Sequence, residues 1–184
     1  GGTFFARTLD VDVPTTVTCM VAAEQHKGCS IIECLVNCVI FNNGTHAWIA
    51  AREQRAEHSI ILKHGQKMIF GKNNDKGLAV EIDPQTFVPK MIVVPAGDPR
   101  VLTHDATQPD PTLHRLLSLM GQNLVTDVNT QPTEDSLPIA LGVIRSVEAE
   151  TYDEAVNKQI ADVREHAKAH NFDELTATLD SWQV

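Results

Sequence analysis

Hydrophobic and polar positions near the start of the chain follow the order strand, helix, strand. Residues 3–8 are rich in β-forming side chains and predict a buried strand. Pro14 suits the first position of a helix, apolar residues then recur at helical spacing, and Gly28 provides a stop signal. Residues 30–36 predict a second strand. This order predicts a βαβ unit with parallel strands and a right-handed crossover.

Shorter elements are predicted after the βαβ unit. We expect an amphipathic helix at residues 47–58 and then several short strands, separated by turns, that form an antiparallel meander. The predicted strands of the meander are 59–62, 67–70, 77–82 and 91–94. One more strand is predicted at 139–147, further helices at 112–120, 152–170 and 173–181, and a polar linker at 126–137. The predicted fold class is α/β, with a βαβ unit of a parallel sheet followed by a mixed region of short strands and helices.

Composition narrows the possible partners of the chain. Its 184 residues include 15 Lys and Arg against 24 Asp and Glu, a net charge of −9, which argues against binding nucleic acid or anionic membranes. The most apolar stretch, residues 31–41, is shorter than the about 20 residues that span a bilayer. A secretory signal pattern is absent from the sequence. We therefore expect a cytoplasmic protein without nucleic-acid or membrane partners.

Four cysteines lie close together at the spacing C-x9-C-x4-C-x3-C: Cys19, Cys29, Cys34 and Cys38. This spacing lacks the tight C-x2-C pairs of zinc ribbons and ferredoxins, which disfavours a self-contained four-cysteine site. Cys19 falls on the predicted helix, Cys29 at the start of the predicted strand and Cys34 within it, where cysteine acts as a small hydrophobe. Only Cys38 falls in the loop that follows a strand's carboxyl end, where parallel sheets bind ligands.

Histidines offer two weaker candidate sites. His166 and His170 lie one helical turn apart and could bind a metal with Asp173, although a solvated helix face is the favoured interpretation. His104 and Asp105 could form an acid–base pair, but we favour a capping role for Asp105 and partial burial of His104. The sequence contains no phosphate-binding glycine loop, no nucleophile elbow and no Gly-Asp-Gly segment. Residue chemistry alone therefore indicates no complete active site.

One segment of the chain carries a family resemblance. Residues 26–42 run from a His-Lys-Gly turn through an apolar strand with Glu33 to Cys38 and a Phe-Asn pair. This pattern resembles a hallmark of the β subunits of 2-oxoacid:ferredoxin oxidoreductases, and residues 3–7 are similar to the family's Thr-Phe-Val-Ala-Arg strand. Residues 103–106 and 139–152 resemble the longer C-terminal regions of 2-oxoglutarate-type members. The resemblance is dense over residues 3–44 and stays collinear to about residue 160.

The resemblance implies a specific reaction and set of cofactors. Members oxidise a 2-oxoacid with coenzyme A to an acyl-CoA and CO2 while reducing ferredoxin, or run the reverse reaction; here the implied substrate is 2-oxoglutarate and the product succinyl-CoA. Thiamine diphosphate and Mg²⁺ bind between the α and β subunits, and the β subunit carries a [4Fe–4S] cluster. Cys38 is similar to the last cluster ligand, whereas no catalytic or thiamine-diphosphate-binding residue can be assigned in this chain.

The sequence departs from the family pattern in ways that limit its expected role. The remaining cluster cysteines and the magnesium–diphosphate segment lie upstream of the matching region in the family, and Cys29 and Cys34 replace residues that are not cysteines. We therefore expect a C-terminal portion of the subunit, inactive by itself: residues 1–50 as the end of the thiamine-diphosphate-binding domain and 51–184 as an extension that packs on other segments or subunits. The alternatives are a non-catalytic assembly module, a pyruvate-type member, and a zinc or iron–sulfur protein that uses all four cysteines.

Overall fold

The computed structural model describes residues 2–121, 132, 136–166 and 171–177, and the chain divides into two compact units, Gly1–Ala149 and Glu150–Val184. The first unit is α/β, as the sequence predicts. Its elements in chain order are β1 (Phe4–Leu9), α1 (Val13–Gln25), β2 (Ser30–Leu35), α2 (Ala47–Ala50), α3 (Arg52–His58), β3 (Ser59–Leu62), β4 (Ile69–Phe70), β5 (Lys76–Ile82), β6 (Pro89–Pro95), α4 (Thr112–Leu119) and β7 (Ile139–Ser146).

Local signals fix the N-terminal βαβ unit, in which β1 and β2 pair in parallel and α1 connects them. The Asp12 carboxylate caps α1, because it accepts hydrogen bonds from the Thr15 amide at 3.5 Å and the Thr15 hydroxyl at 2.9 Å, and Pro14 lies in the first turn. At Gly28, φ is +139° and a Cβ atom would lie 2.5 Å from Thr3 Oγ1. Glycine is therefore required where the chain turns into β2.

The main sheet is mixed and has the strand order β2-β1-β7-β3. Strand β7 runs antiparallel to β1 and parallel to β3. The strand predicted at 59–62 forms with the predicted bounds, but its predicted place in the meander is wrong because it pairs with β7. A four-residue apolar strand carries no local information about its partner, whereas pairing with β7 buries Ile60 and Leu62 in the core.

The meander itself consists of β4, β5 and β6 in antiparallel pairing. Its apolar face packs on the main sheet and α4, so the short strands are covered within this chain. The buried residues that form this core cluster are Ile60, Leu62, Met68, Phe70, Leu78, Met91, Leu117, Met120, Ala140 and Ile144. Three or more strands with an apolar face packed on another layer are what a small sheet needs for stability.

The helix predicted at 47–58 is broken into α2 and α3 at Ala51, whose ψ of 120° is extended rather than helical. Arg55 explains the break. Its guanidinium donates hydrogen bonds to the carbonyl oxygens of Ile49 and Ala50, each at 2.9 Å, and so satisfies groups that a continuous helix would have paired. The prediction of a single helix was wrong because the Arg55 side chain, and not the backbone amides of the next turn, pairs with these carbonyl groups.

The second unit contains α5 (Tyr152–His166) and α6 (Phe172–Ala177), which agree with the two helices predicted there. Residues 167–170 and 178–181 of those predictions, and most of the linker predicted at 126–137, lie outside the described residues. Among the residues described, no helix combines the length and apolar character needed to cross a membrane.

Candidate functional site

Cys38 lies in a closely bonded loop after the carboxyl end of β2, as predicted. The Asn42 amide donates to the Cys38 carbonyl oxygen at 2.9 Å, and the two residues form an isolated β-bridge. The Asn37 side-chain oxygen accepts a hydrogen bond from the Gly44 amide at 2.9 Å. These bonds close the loop at both ends and hold Cys38 at its turn.

Backbone amides of this loop surround the Cys38 sulfur. The Phe41 amide donates to Sγ at 3.5 Å. The amides of Phe41, Ile40 and Asn42 together lower the pKa of the half-buried Cys38 thiol, with Phe41 contributing most. Amide donors stabilise the thiolate, and the thiolate is the form of cysteine that ligates metals. The loop geometry therefore suits a metal or cluster ligand.

The side chains next to Cys38 are apolar and exposed. Val39, Ile40 and Phe41 are 73%, 82% and 90% exposed, and Val36 before the cysteine is also exposed. Contiguous apolar surface of this kind marks sites that contact another surface or ligand. The Cys38 loop thus combines a stabilised thiolate with an exposed apolar surface that is suited to contact another surface or a ligand.

The other cysteines have different surroundings. Cys19 is buried against Phe4 and Ala6, and burial together with the Asp12 charge raises the pKa of its thiol. Cys29 and Cys34 are exposed, so the expectation that they act as buried hydrophobes was wrong for both. Throughout the described part of the chain, no group of three or more histidine, cysteine or acidic side chains could hold a metal ion.

Three buried polar atoms near the carboxyl ends of β1 and β2 have no hydrogen-bond partner among the described residues: Thr8 Oγ1, His46 Nδ1 and Trp48 Nε1. Thr8 lies near the end of β1, and the other two residues follow the Cys38 loop. Buried polar atoms in native proteins are normally paired, so each of these has capacity for a further partner. None of these three residues was predicted from the sequence as a site residue. The His-Ala-Trp run after Gly44, near the end of a parallel strand, is the signal that could have found two of them.

An ion pair links the parallel strands β1 and β2. Arg7 and Glu33 are register partners, and Arg7 Nε lies 2.6 Å from Glu33 Oε2. Arg7 is buried and also donates to the Ser118 carbonyl oxygen at 2.8 Å.

The pKa of His46 is lowered mainly by burial, so this histidine is neutral and can accept or donate a hydrogen bond at neutral pH.

The two histidine candidates have structural explanations. His104 is fully buried, and its Nε2 donates to the Val143 carbonyl oxygen at 2.9 Å. Asp105 accepts hydrogen bonds from the amide and hydroxyl of Thr107, which confirms its predicted capping role. His166 Nδ1 donates to the Asp162 carbonyl oxygen at 2.8 Å in its own helix. His170, the other member of that proposed metal pair, lies outside the described residues.

Comparison with known proteins shows what this chain is similar to. The chain is 31% identical over 191 aligned positions to the 2-oxoglutarate oxidoreductase subunit KorB of Mycobacterium tuberculosis, and the alignment covers 99% of this chain and 45% of that protein. The chain belongs to the family of 2-oxoacid:ferredoxin oxidoreductase β subunits. It spans about half the length of this curated relative. No model of a protein family matches the chain, and no solved structure matches it.

The local structure of this β-subunit chain can be compared with the groups that the family resemblance implies. For an iron–sulfur cluster the Cys38 loop fits one ligand, because it offers a thiolate stabilised by backbone amides. Cys19, Cys29 and Cys34 do not join it in a metal-binding group. For thiamine diphosphate and Mg²⁺, the described residues contain no assigned ligand set.

Proposed function

We propose that this chain is part of an enzyme that oxidatively decarboxylates 2-oxoglutarate with coenzyme A, forming succinyl-CoA and reducing ferredoxin, or that runs the reverse CO2-fixing reaction. The observation that carries this proposal is the alignment with KorB, named as a 2-oxoglutarate oxidoreductase subunit, over 99% of the chain. The proposed partners are an α subunit, the rest of the β subunit and ferredoxin. The chain by itself is proposed to be inactive.

Cys38 is the residue that we propose to ligate a [4Fe–4S] cluster, with the remaining ligands supplied from outside this chain. The amides that donate toward its sulfur support this role, since hydrogen bonds to cluster sulfurs tune the reduction potential. When bound, thiamine diphosphate would stabilise the carbanion left by decarboxylation, Mg²⁺ would hold its diphosphate, and the cluster would accept electrons singly. No residue of this chain is assigned to thiamine diphosphate.

Residues 1–50 are proposed to be the end of a thiamine-diphosphate-binding domain, with 51–184 as the extension. Support comes from the surface of the βαβ unit. Strand β2 is the edge of its sheet, and apolar side chains on it and on α1 are exposed: Val13, Val17, Met20, Val21 and Ile31. Parallel sheets normally have both faces covered, and a bare edge strand is suited to pairing with a further strand.

Replacing Cys38 by alanine in the complete enzyme tests the ligand assignment. We expect the Cys38→Ala enzyme to lose or convert its cluster and to lose ferredoxin reduction, because one of the four thiolates is removed. Iron and acid-labile sulfide content and the electron paramagnetic resonance spectrum of the reduced enzyme measure this.

Three other alanine variants provide matched controls. Cys34→Ala removes an exposed thiol from the neighbouring strand, and Cys29→Ala and Cys19→Ala remove the others; all three should keep the cluster spectrum. A Cys38→Ala enzyme with the wild-type cluster signal and normal electron transfer would show that the ligand assignment is wrong.

The second candidate function is a non-catalytic module for subunit assembly. The specific observation in its favour is the exposed apolar surface of the βαβ unit, combined with the absence of a candidate metal-binding group in the described residues. Native mass spectrometry of the purified assembly would identify the subunits that contain this chain. Comparing kcat/KM of that assembly for 2-oxoglutarate and pyruvate would separate the assembly module, the 2-oxoglutarate enzyme and the pyruvate-type enzyme.

A further inference from the structure

A cleft of about 420 Å³ opens in the first unit beside α3, β3 and the loop between β3 and β4. Its volume is in the range of cavities that bind small molecules. The loop around Cys38 contributes no lining residue, so the cleft is a different place in the fold from the proposed cluster ligand.

Positive side chains dominate the cleft. Among the described residues that line it, Arg52, Arg55, Lys63 and Lys67 are positive and Asp12 is the single acidic residue. Four positive charges against one negative charge leave a local excess of three, in a chain whose net charge is −9. A concave surface whose charge opposes that of the whole molecule concentrates anions from solution.

Most of these cations are available to a ligand. Arg55 is committed to the protein, since its guanidinium holds the carbonyl groups at the α2–α3 break and lies 3.9 Å from the Asp12 carboxylate. By contrast, the side chains of Arg52, Lys63 and Lys67 make no hydrogen bond or ion pair with any described residue. Within the described part of the chain, these three exposed charges are therefore uncompensated.

The loop that carries the two lysines is held in place by backbone hydrogen bonds. The Gly65 amide donates to the His104 carbonyl oxygen at 2.8 Å, and the His104 amide donates to the Gln66 carbonyl oxygen at 2.9 Å. The Met68 amide donates to the Leu102 carbonyl oxygen at 2.8 Å. A loop fixed in this way loses little backbone freedom when a ligand binds, so the backbone that carries the lysines is preorganised.

Apolar side chains also line the cleft, next to the positive ones. Ile61, which is 45% exposed, and the half-buried Ile69 line it and offer apolar surface to a ligand. His104 also lines the cleft; its Nε2 is bonded to the Val143 carbonyl oxygen, and its buried Nδ1 has no partner among the described residues. Because Nε2 carries the proton in that bond, Nδ1 is an unused acceptor.

We propose that this cleft binds a small phosphorylated molecule of about the size of a mononucleotide, with its phosphates on Arg52, Lys63 and Lys67 and its apolar body against Ile61 and Ile69. A hydrogen-bond donor on that body would complete the partners of His104. Phosphate is the matching charge because separate cations around one mouth can share several anionic oxygens. The proposal goes beyond the redox function and does not depend on the role of Cys38.

Binding of ADP to the full chain tests this assignment. We expect saturable binding in calorimetry, weakened by added salt, and chemical-shift changes in NMR at the amides of residues 63–68 and 104. ADP should bind more tightly than inorganic phosphate, because only ADP also contacts the apolar wall. The Lys63→Gln/Lys67→Gln variant should weaken ADP affinity about tenfold.

A charge-matched control separates the cleft from general electrostatics. Lys90→Gln/Lys158→Gln removes the same charge from residues that do not line the cleft, and should leave the ADP affinity within about twofold. Unfolding midpoints of both variants check that the fold is kept, and Arg52→Gln provides an independent cleft variant. Absent ADP binding, equal affinities of ADP and phosphate, or equal loss in the two double variants would each overturn the proposal.

Discussion

At the scale of single residues, burial sets the charge of three histidines in the first unit. His46 and His104 are buried, His58 is half-buried, and burial is the largest cause that lowers the pKa of each imidazole below its ordinary value of 6.5. At His104, the neighbouring His114 and His64 add to this lowering, whereas the Val143 carbonyl oxygen and Asp105 oppose it. All three histidines are therefore neutral in the folded protein at neutral pH.

We predict that His104→Gln makes stability less dependent on acidification. The pKa of His104 is lower in the folded than in the unfolded chain, so the unfolded chain binds more protons as pH falls below 6.5, and stability decreases toward acid. Glutamine can still donate to the Val143 carbonyl oxygen but does not titrate. The variant should therefore lose less free energy of unfolding between about pH 7.5 and 5.5 than the wild type.

Denaturant unfolding at a series of pH values measures this difference. His166→Gln is the matched control, because its ring is exposed and, among the described residues, bonds to its own helix, so the variant should retain the wild-type pH dependence. Equal pH slopes for the His104→Gln variant and the wild type would contradict the burial argument.

At the scale of elements, Gly142 joins the two halves of the main sheet. It lies in β7, where it is the register partner of Arg7 on one side and Leu62 on the other. Its φ is +93°, and a Cβ atom would lie 2.8 Å from the Leu62 carbonyl oxygen. Both the backbone conformation and the close approach of β3 therefore require glycine at this position.

We predict that Gly142→Ala lowers the free energy of unfolding by about 2–4 kcal/mol, because strain and a backbone contact fall on the same atom. Gly97→Ala is the matched control, since nothing lies within 4 Å of its added Cβ atom. That variant should stay within about 0.5 kcal/mol of the wild type. Chemical denaturation of both variants measures the effect, and equal stabilities would show that the sheet adjusts around residue 142.

The elements also show what the sequence could and could not predict. Strands β1 and β2 and helix α1 were predictable because Asp12, Pro14 and Gly28 are local signals of where a helix begins and ends. The break at Ala51 was not, because it depends on how the Arg55 side chain folds back. The pairing of β3 was not predictable either, since its partner β7 lies far along the chain.

Some residues of the candidate site could likewise be predicted from the sequence, and others could not. Cys38 could be selected from its loop position and the family resemblance. The unpartnered atoms of Thr8, His46 and Trp48 could not, because whether a polar atom has a partner depends on residues distant in sequence. The cations of the cleft also look scattered along the chain until α3 and the β3–β4 loop come together.

At the scale of the whole molecule, many of the exposed large apolar side chains lie on the βαβ unit and in the loop after it. Short strands after residue 59 were expected to need cover from other segments or subunits. The described meander packs on β3, β7 and α4 of the same chain, and further cover in the native assembly stays a prediction. Uncovered apolar side chains lie on α1, on β2 and in the loop after it, as Val17, Ile31 and Phe41 illustrate. The βαβ unit is thus the part best suited to contact other chain segments.

We predict that assembly protects this part of the chain selectively. Amide hydrogen exchange at residues 30–41 should slow in the native assembly relative to the isolated chain, because an edge strand and its following loop gain partners. Amides of β5 and β6 serve as an internal control, because they pair with each other in the isolated chain. Protection gained in the meander but not at residues 30–41 would contradict this prediction.

The position of β7 in the main sheet has a consequence for biosynthesis. During translation, β1 and β2 can pair soon after they leave the ribosome, but β3 has no partner in its sheet until residues 139–146 emerge. The buried cluster that includes Ile60 and Leu62 also requires Ala140 and Ile144 of β7. A nascent chain that ends before β7 therefore displays β3 and one edge of β1 to chaperones. Pairing between segments so far apart in sequence also makes the last step of folding a slow one.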